Sequence, residues 1–232
     1  MNSSRHVALI PAAGIGARMN AACPKQYLPV AGKPMLVHVL ETFAASNRID
    51  HVFLVVSEAD GYVDEIMAAL RGTTDKITLV RNGGATRQES VLNGLLAMDG
   101  HVEKSDWILV HDAARPGLSE ELIEKLIDGL QGDQVGGLLA LPIVDTLKRA
   151  APGNRAESTV SRDGLWAAQT PQMFRYELLR RALEQCTQVT DEASAVESLG
   201  LQPKLIEGSA RNFKITLPGD IALAECYLKD KG

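Results

Sequence analysis

Cysteine is scarce in this chain. Its three thiols, Cys23, Cys186 and Cys226, are scattered, odd in number and lack a CxxC pair. That excludes a disulfide framework and a thiolate metal site, and it leads us to expect a reducing, cytoplasmic compartment. Long apolar runs are also missing. The opening MNSSRHVALIPAAG has too short an apolar stretch for a signal peptide, and no window approaches the roughly 20 residues of a membrane span. Positive charge is not in excess either. The formal net charge of −5 argues against broad electrostatic binding of nucleic acid, so any anion site must be a local cluster of cations. Internal repeats, low-complexity tracts and an obvious linker are absent, and residues 1–232 read as one domain with a substantial core.

What is present centres on residues 7–28, VALIPAAGIGARMNAACPKQYL. Val7 to Ile10 is an apolar run of strand length that breaks at Pro11 into a loop with Gly14, Gly16 and Arg18; Lys25 follows. A glycine turn at a strand's carboxyl end lets backbone N–H groups approach an anion, and two cations nearby add charge. The pattern is not a Walker loop, because no Gly-Lys-Ser/Thr follows. Nor is it a dinucleotide fingerprint, because Met19 stands where a third small residue belongs. Taken alone, the loop is read equally well as a plain strand-to-helix turn with Arg18 and Lys25 on a solvated face.

The rest of the chain alternates. Pro34 suits a first helical position before MLVHVLETFAAS, and strands are expected at 51–56, 77–80, 107–110, 136–141, 204–207 and 212–216. Helices are expected at 61–70, after GGATRQES, at 119–130, near 176–186, after Thr190 as cap, and from Pro218 onward. This rhythm predicts an α/β fold with a mostly parallel twisted sheet flanked by helices. It breaks between 142 and 164, a polar stretch in which Ala151-Pro152-Gly153-Asn154 is a turn signal between two segments able to pair. A projecting β-arm that meets a partner chain explains it better than a second domain, with a long surface loop as the other reading.

Ligands of an open parallel sheet lie beyond the carboxyl ends of its strands. PAAGIGARM, GGATRQES, HDAARP and NFKIT all fall near strand ends, so four loops converge on one crevice. Asp112, presented straight after a hydrophobic strand, suits a Mg²⁺ ion bridging phosphates, or it caps the turn that follows. His111 reads as a packed, hydrogen-bonded residue, and Asp191 and Glu192 as first-turn helix charges. Lys214 lies in a β-type run, where a lysine needs solvent or an anionic partner. With Arg18 and Lys25 it supplies positive charge suited to a nucleoside triphosphate and its metal.

PAAGIGARM with PKQYL, GGATRQESV, VHDAARP, DTLKR, QTPQMF, TDEASAV and NFKIT occur in this order over nearly the whole chain, from Val7 to Leu228. In that order they resemble the 2-C-methyl-D-erythritol 4-phosphate cytidylyltransferase family of the non-mevalonate isoprenoid pathway. The resemblance implies a Rossmann-like nucleotidyltransferase fold and a homodimer joined through the arm. It also implies CTP and methylerythritol phosphate as substrates, with Mg²⁺. Carried onto this chain, it makes Arg18 and Lys25 the triphosphate-binding, transition-state-stabilising pair and Lys214 a further catalytic lysine. Ala12, Ala13, Gly14, Gly84 and Ser90 match positions that hold the nucleotide. Asp112 matches the acid near the metal and the sugar phosphate, touching the metal directly or through water. Arg115 matches a further substrate-binding arginine, and Thr146 and Arg162 on the arm match residues that reach the other subunit's sugar phosphate. The chain departs from some members at Ala85, where an acidic residue can stand.

Rival readings are a ribitol 5-phosphate cytidylyltransferase, a UTP- or GTP-dependent sugar nucleotidyltransferase, and a non-catalytic nucleotide-binding module. The pentitol-phosphate enzymes look more like LAGGIGSRM and HDAVRP, against PAAGIGARM and HDAARP here.

Overall fold

The structure is a computed structural model that describes residues 4–14, 23–70, 74–186 and 188–229. In chain order its elements begin with β1 (His6–Pro11), a 3-10 turn at Lys25–Tyr27, the short strands β2 (Pro29–Val30) and β3 (Lys33–Pro34), and α1 (Met35–Ala45). Then come β4 (His51–Val55), α2 (Val63–Ala69), β5 (Ile77–Val80), α3 (Arg87–Ala97), β6 (Trp107–Val110), α4 (Glu120–Gly129) and β7 (Gly136–Pro142). The hairpin β8 (Leu147–Ala151) and β9 (Arg155–Val160) precedes β10 (Trp166–Arg175), α5 (Tyr176–Gln185), α6 (Glu192–Glu197), β11 (Lys204–Glu207) and α7 (Gly219–Lys229).

Seven strands form one sheet in the order β11-β7-β10-β6-β1-β4-β5. All neighbours run parallel except β10, which is antiparallel to both β6 and β7. Both faces are covered, and the two-residue period of a strand divides the apolar side chains between them. On β1, Ala8 and Ile10 pack with Leu40 and Phe43 of α1 and Leu126 of α4, whereas Val7 and Leu9 pack with Leu95 of α3 and Leu179 of α5. That is why Val7 to Ile10 reads as an unbroken apolar run. Gly94 sits where α3 crosses closest: a Cβ there would lie 2.7 Å from Leu9 and 2.8 Å from Val55.

The expected arm is a separate two-stranded antiparallel sheet, β8 with β9, turning through Gly153 and Asn154, both at positive φ. Its base exposes Val144, Leu165 and Trp166.

Three local expectations are corrected. Asn212–Thr216 is not a strand: Ala210–Asn212 is a 3-10 turn, followed by an extended strap. Its backbone donors are taken elsewhere, Ile215 N by Ala114 O and Thr216 N by the Asp220 carboxylate. Asp191, not Thr190, caps α6, its carboxylate accepting from Ser194 N while Ser194 Oγ accepts from Asp191 N. Pro34 precedes α1 as its N-cap, in extended backbone, instead of opening the helix.

Candidate active site

Beyond the carboxyl ends of β1, β5 and β6 lies a cavity that four stretches of chain build together. The loop after β1 contributes Ala12, Ala13 and Gly14, the turn before α3 contributes Gly84 to Arg87, Asp112 follows β6, and Lys214 comes from the strap before α7. These are the four loops expected to converge.

The glycine turn is set by sterics and by hydrogen bonds that leave it little freedom. Ala12 N donates to Val55 O at 2.7 Å and Gly83 N to Val56 O at 2.9 Å, which seats the two loops side by side. A Cβ on Gly83 would fall 2.3 Å from the Ala13 methyl, so only glycine permits this approach. Thr86 caps α3 in a reciprocal box: its hydroxyl accepts from Glu89 N at 3.1 Å, and Glu89 Oε2 accepts from Thr86 N at 3.3 Å and also from Ala85 N at 2.7 Å. Ser90 lines the cavity but spends its hydroxyl on this turn, donating to Thr86 O at 2.9 Å and accepting from Gly84 N at 3.1 Å.

Asp112 is buried and ringed by cations. Its Oδ1 accepts from Arg87 Nε at 2.9 Å, its Oδ2 lies 2.7 Å from Lys214 Nζ, and Arg115 Nε stands 3.7 Å from Oδ2. Burial alone raises a carboxyl pKa; here the cations, Arg87 first and then Lys214, outweigh it and hold Asp112 well below the usual carboxylate range. The side chain therefore spends its oxygens on cations and does not cap the following turn. Arg87 is not singled out in the sequence, and its second partner, Glu192, reads there as a first-turn helix charge. The guanidinium meets Glu192 through two bonds, at 2.6 and 3.0 Å, and Glu192 is almost wholly buried. Read from sequence, each is an ordinary first-turn helix charge, and their meeting is a tertiary event.

Lys25 reaches the cavity on the 3-10 turn. Its neighbour Gln26 is buried and donates to Ala12 O at 2.7 Å, while Lys25 Nζ donates to Ile215 O at 3.2 Å. The two lysines thus share one strap. Asp220 holds that strap by accepting from Thr216 N at 2.7 Å and Leu217 N at 2.8 Å.

His111 is fully buried, with Nδ1 3.0 Å from Thr170 Oγ1 and Nε2 3.2 Å from Arg115 O. Arg115 O can only accept, so Nε2 carries the ring proton and Nδ1 accepts from the Thr170 hydroxyl, whose oxygen in turn accepts from Asp112 N. Burial pushes the imidazole down to about 4, so it stays neutral. Arg115 lies behind the cavity, donating to Asn212 O at 2.7 Å. Thr146 and Arg162 stand exposed at the arm's base, where Arg162 donates to Val144 O; neither lines this cavity. Arg18 lies outside the described residues.

Among the described residues no cluster of three or more His, Cys, Asp or Glu side chains is placed to hold a metal. Asp112 is the one carboxylate among the described residues lining the cavity. Its oxygens already face Arg87 and Lys214, so a Mg²⁺ ion, which prefers oxygen and keeps several waters, would take most of its ligands from phosphates and water and meet Asp112 at the edge of that set.

A mostly parallel sheet with a glycine-built, lysine-flanked cavity at its carboxyl edge defines a nucleotide-binding α/β protein of the Rossmann-like nucleotidyltransferase kind. Known proteins narrow this. Residues 6–230 match the 2-C-methyl-D-erythritol 4-phosphate cytidylyltransferase family, and the chain belongs to that family. A relative of that name from Azoarcus sp. (strain BH72) is 52% identical over 98% of this chain and 95% of its own length. Another, from Nitrosomonas eutropha, is 53% identical over 98% of both chains. Among solved structures, a 4-diphosphocytidyl-2C-methyl-D-erythritol synthase aligns with a TM-score of 0.87 at 43% identity, covering 98% of this chain and 100% of its own. The Francisella tularensis 2-C-methyl-D-erythritol 4-phosphate cytidylyltransferase aligns at 0.81 with 35% identity, covering 97% of this chain and 100% of its own.

Proposed function

We propose that this protein transfers the cytidylyl group of CTP to 2-C-methyl-D-erythritol 4-phosphate in isoprenoid precursor biosynthesis. The products are 4-diphosphocytidyl-2-C-methyl-D-erythritol and pyrophosphate. The observation that carries the reading, beside family membership, is the meeting of Lys25 and Lys214 at a cavity floored by Gly84 and Ala12–Gly14.

A sugar-phosphate oxygen is already an anion at neutral pH, so the attack on the α-phosphorus needs no general base. The oxygen–phosphorus bond forms as the bond to the β-phosphate oxygen breaks, and pyrophosphate leaves with that electron pair. The enzyme's part is alignment and the offsetting of crowded negative charge. Lys214, on the strap, and Lys25, whose Nζ donates to Ile215 O of the same strap, supply positive charge, with Arg18 assigned to the same triphosphate by resemblance. Ala12, Ala13, Gly14 and Gly84 are assigned to the nucleotide by resemblance, several through backbone groups; the N–H groups of Ala12 and Gly84 are taken by Val55 O and Ser90 Oγ, which fixes the turn. Asp112 would hold a Mg²⁺ ion, directly or through water, together with the phosphates, and the ion would supply charge neutralisation there.

The same proposal includes a homodimer in the cytoplasm. The exposed Val144 and Trp166 at the arm's base support an interface there, and Thr146 and Arg162 are assigned by resemblance to the sugar phosphate of the partner. Arg115 stays a substrate-binding residue in this reading. All three cysteines are free, as a reducing compartment requires, and among the described residues no helix is long and apolar enough to cross a membrane. Pyrophosphate release measured with CTP, UTP, GTP and ATP against methylerythritol phosphate and ribitol 5-phosphate tests the reading. CTP with methylerythritol phosphate is expected to be turned over fastest; preference for ribitol phosphate, or for another nucleotide, overturns it.

A further inference from the structure

Four charged side chains from four elements form one line into the cavity. Glu192, on the first turn of α6, takes both terminal nitrogens of Arg87; Arg87 Nε donates to Asp112 Oδ1; and Asp112 Oδ2 meets Lys214 Nζ. The far end is anchored. Gln172 on β10 donates to Asp191 Oδ2 at 2.8 Å and accepts from Ala193 N at 2.7 Å, which fixes the turn that carries Glu192.

We propose that Arg87, gripped by Glu192, is a positioning residue for the cytidylyl transfer: it holds the Asp112 carboxylate in the one orientation that sets the Lys214 ammonium at the phosphate site. The inference rests on the functional reading above. An arginine is required because its planar fork presents Nε along one edge and two terminal nitrogens along another, so one side chain serves two carboxylates. A lysine has a single ammonium and cannot keep both geometries. Without the grip, Asp112 and Glu192 are buried acids sharing no cation, and Asp112 loses what stops it from turning. Arg87 itself lines the cavity, so the effect is delivered at the reacting end and not at a distant surface.

The test is steady-state kinetics of the full chain with CTP, Mg²⁺ and methylerythritol phosphate, for wild type, Glu192→Gln, Arg87→Lys and the double variant. Glu192→Gln is expected to lower kcat about tenfold with the KM for CTP held within about threefold, the mark of a contact that matters in the transition state. Arg87→Lys is expected to lose more, roughly a hundredfold in kcat, and the double variant to match Arg87→Lys within about twofold because Glu192 acts only through the arginine. A double variant whose loss is the product of the single losses overturns the proposal, as does a Glu192→Gln enzyme that melts earlier yet keeps wild-type kcat. Should Arg87→Lys fail to fold, Glu192→Gln alone decides by the same split between kcat and KM. A wild-type protein that releases no pyrophosphate fails the functional reading first and takes this proposal with it; a working wild type with unchanged variants fails the proposal alone.

Discussion

Lys214 Nζ lies 2.7 Å from Asp112 Oδ2, although one residue comes from the strap before the last helix and the other from the end of β6. The pair joins two distant parts of the chain at the cavity and leaves the lysine one fixed direction. Lys214→Met is expected to cut kcat on the order of a hundredfold at saturating CTP, the scale of one lost transition-state contact. Stopped-flow pyrophosphate release checks it, and a variant within a few-fold of wild type contradicts it.

Stability should carry the signature of His111. Its folded pKa, about 4, lies below its ordinary 6.5, so the unfolded chain takes up the proton first. Its contribution is therefore complete above pH 6.5 and is lost as pH falls toward 4, at up to about 1.4 kcal/mol per pH unit. Denaturant unfolding at a series of pH values should show a shallower slope in this window for His111→Gln than for wild type. Equal slopes would mean that the imidazole is not kept neutral by burial.

Two glycines should separate structure from binding. A Cβ on Gly83 meets Ala13 at 2.3 Å and the Val56 carbonyl oxygen at 2.9 Å, whereas one on Gly14 meets nothing within 4 Å among the described residues. Gly83→Ala is expected to lose about 2 kcal/mol or more of stability, and Gly14→Ala less than about 0.5 kcal/mol. Gly14→Ala should nevertheless raise the KM for CTP, because its methyl group enters the cavity. Thermal melts and CTP titrations of the two variants decide this.

These contrasts mark what was legible in the sequence. Val7 to Ile10 and Trp107 to Val110 read as strands because a strand covered on both faces needs no polar residue. The arm was legible from Ala151-Pro152-Gly153-Asn154, whose turn chemistry is local. Direction was not: nothing in WAAQTPQMF says that β10 runs against its neighbours, since pairing is decided by the sheet. Asn212–Thr216 misled because its apolar residues mimic a strand while Ala114 O takes the Ile215 donor and Asp220 the Thr216 donor. Asp112 was visible by its place after a strand, and Lys214 as a lysine in a β-type run, although that run is a strap and not a strand. Glu192 was read as a helix charge and Arg87 was not singled out, because a buried ion pair between two helix starts leaves no local pattern.

The arm gives a prediction of its own. Val144 is 74% and Trp166 39% exposed in a single chain, and apolar side chains so placed beside a projecting hairpin suit a subunit contact. Sedimentation should show a dimer for wild type and a shift to monomer for Val144→Asp combined with Trp166→Asp, with turnover falling as the dimer is lost. A wild-type protein that sediments as a monomer at full activity contradicts the proposed interface.

The central claim is that positive side chains from separate loops converge on one triphosphate, and turnover of Lys25→Ala at saturating CTP tests it most directly. Lys25 lines the cavity and its ammonium leans on the strap that bears Lys214. A loss of about a hundredfold or more in kcat, with the melting profile of wild type, is the expected result. A folded Lys25→Ala protein that turns over CTP and methylerythritol phosphate at close to the wild-type rate would contradict the account.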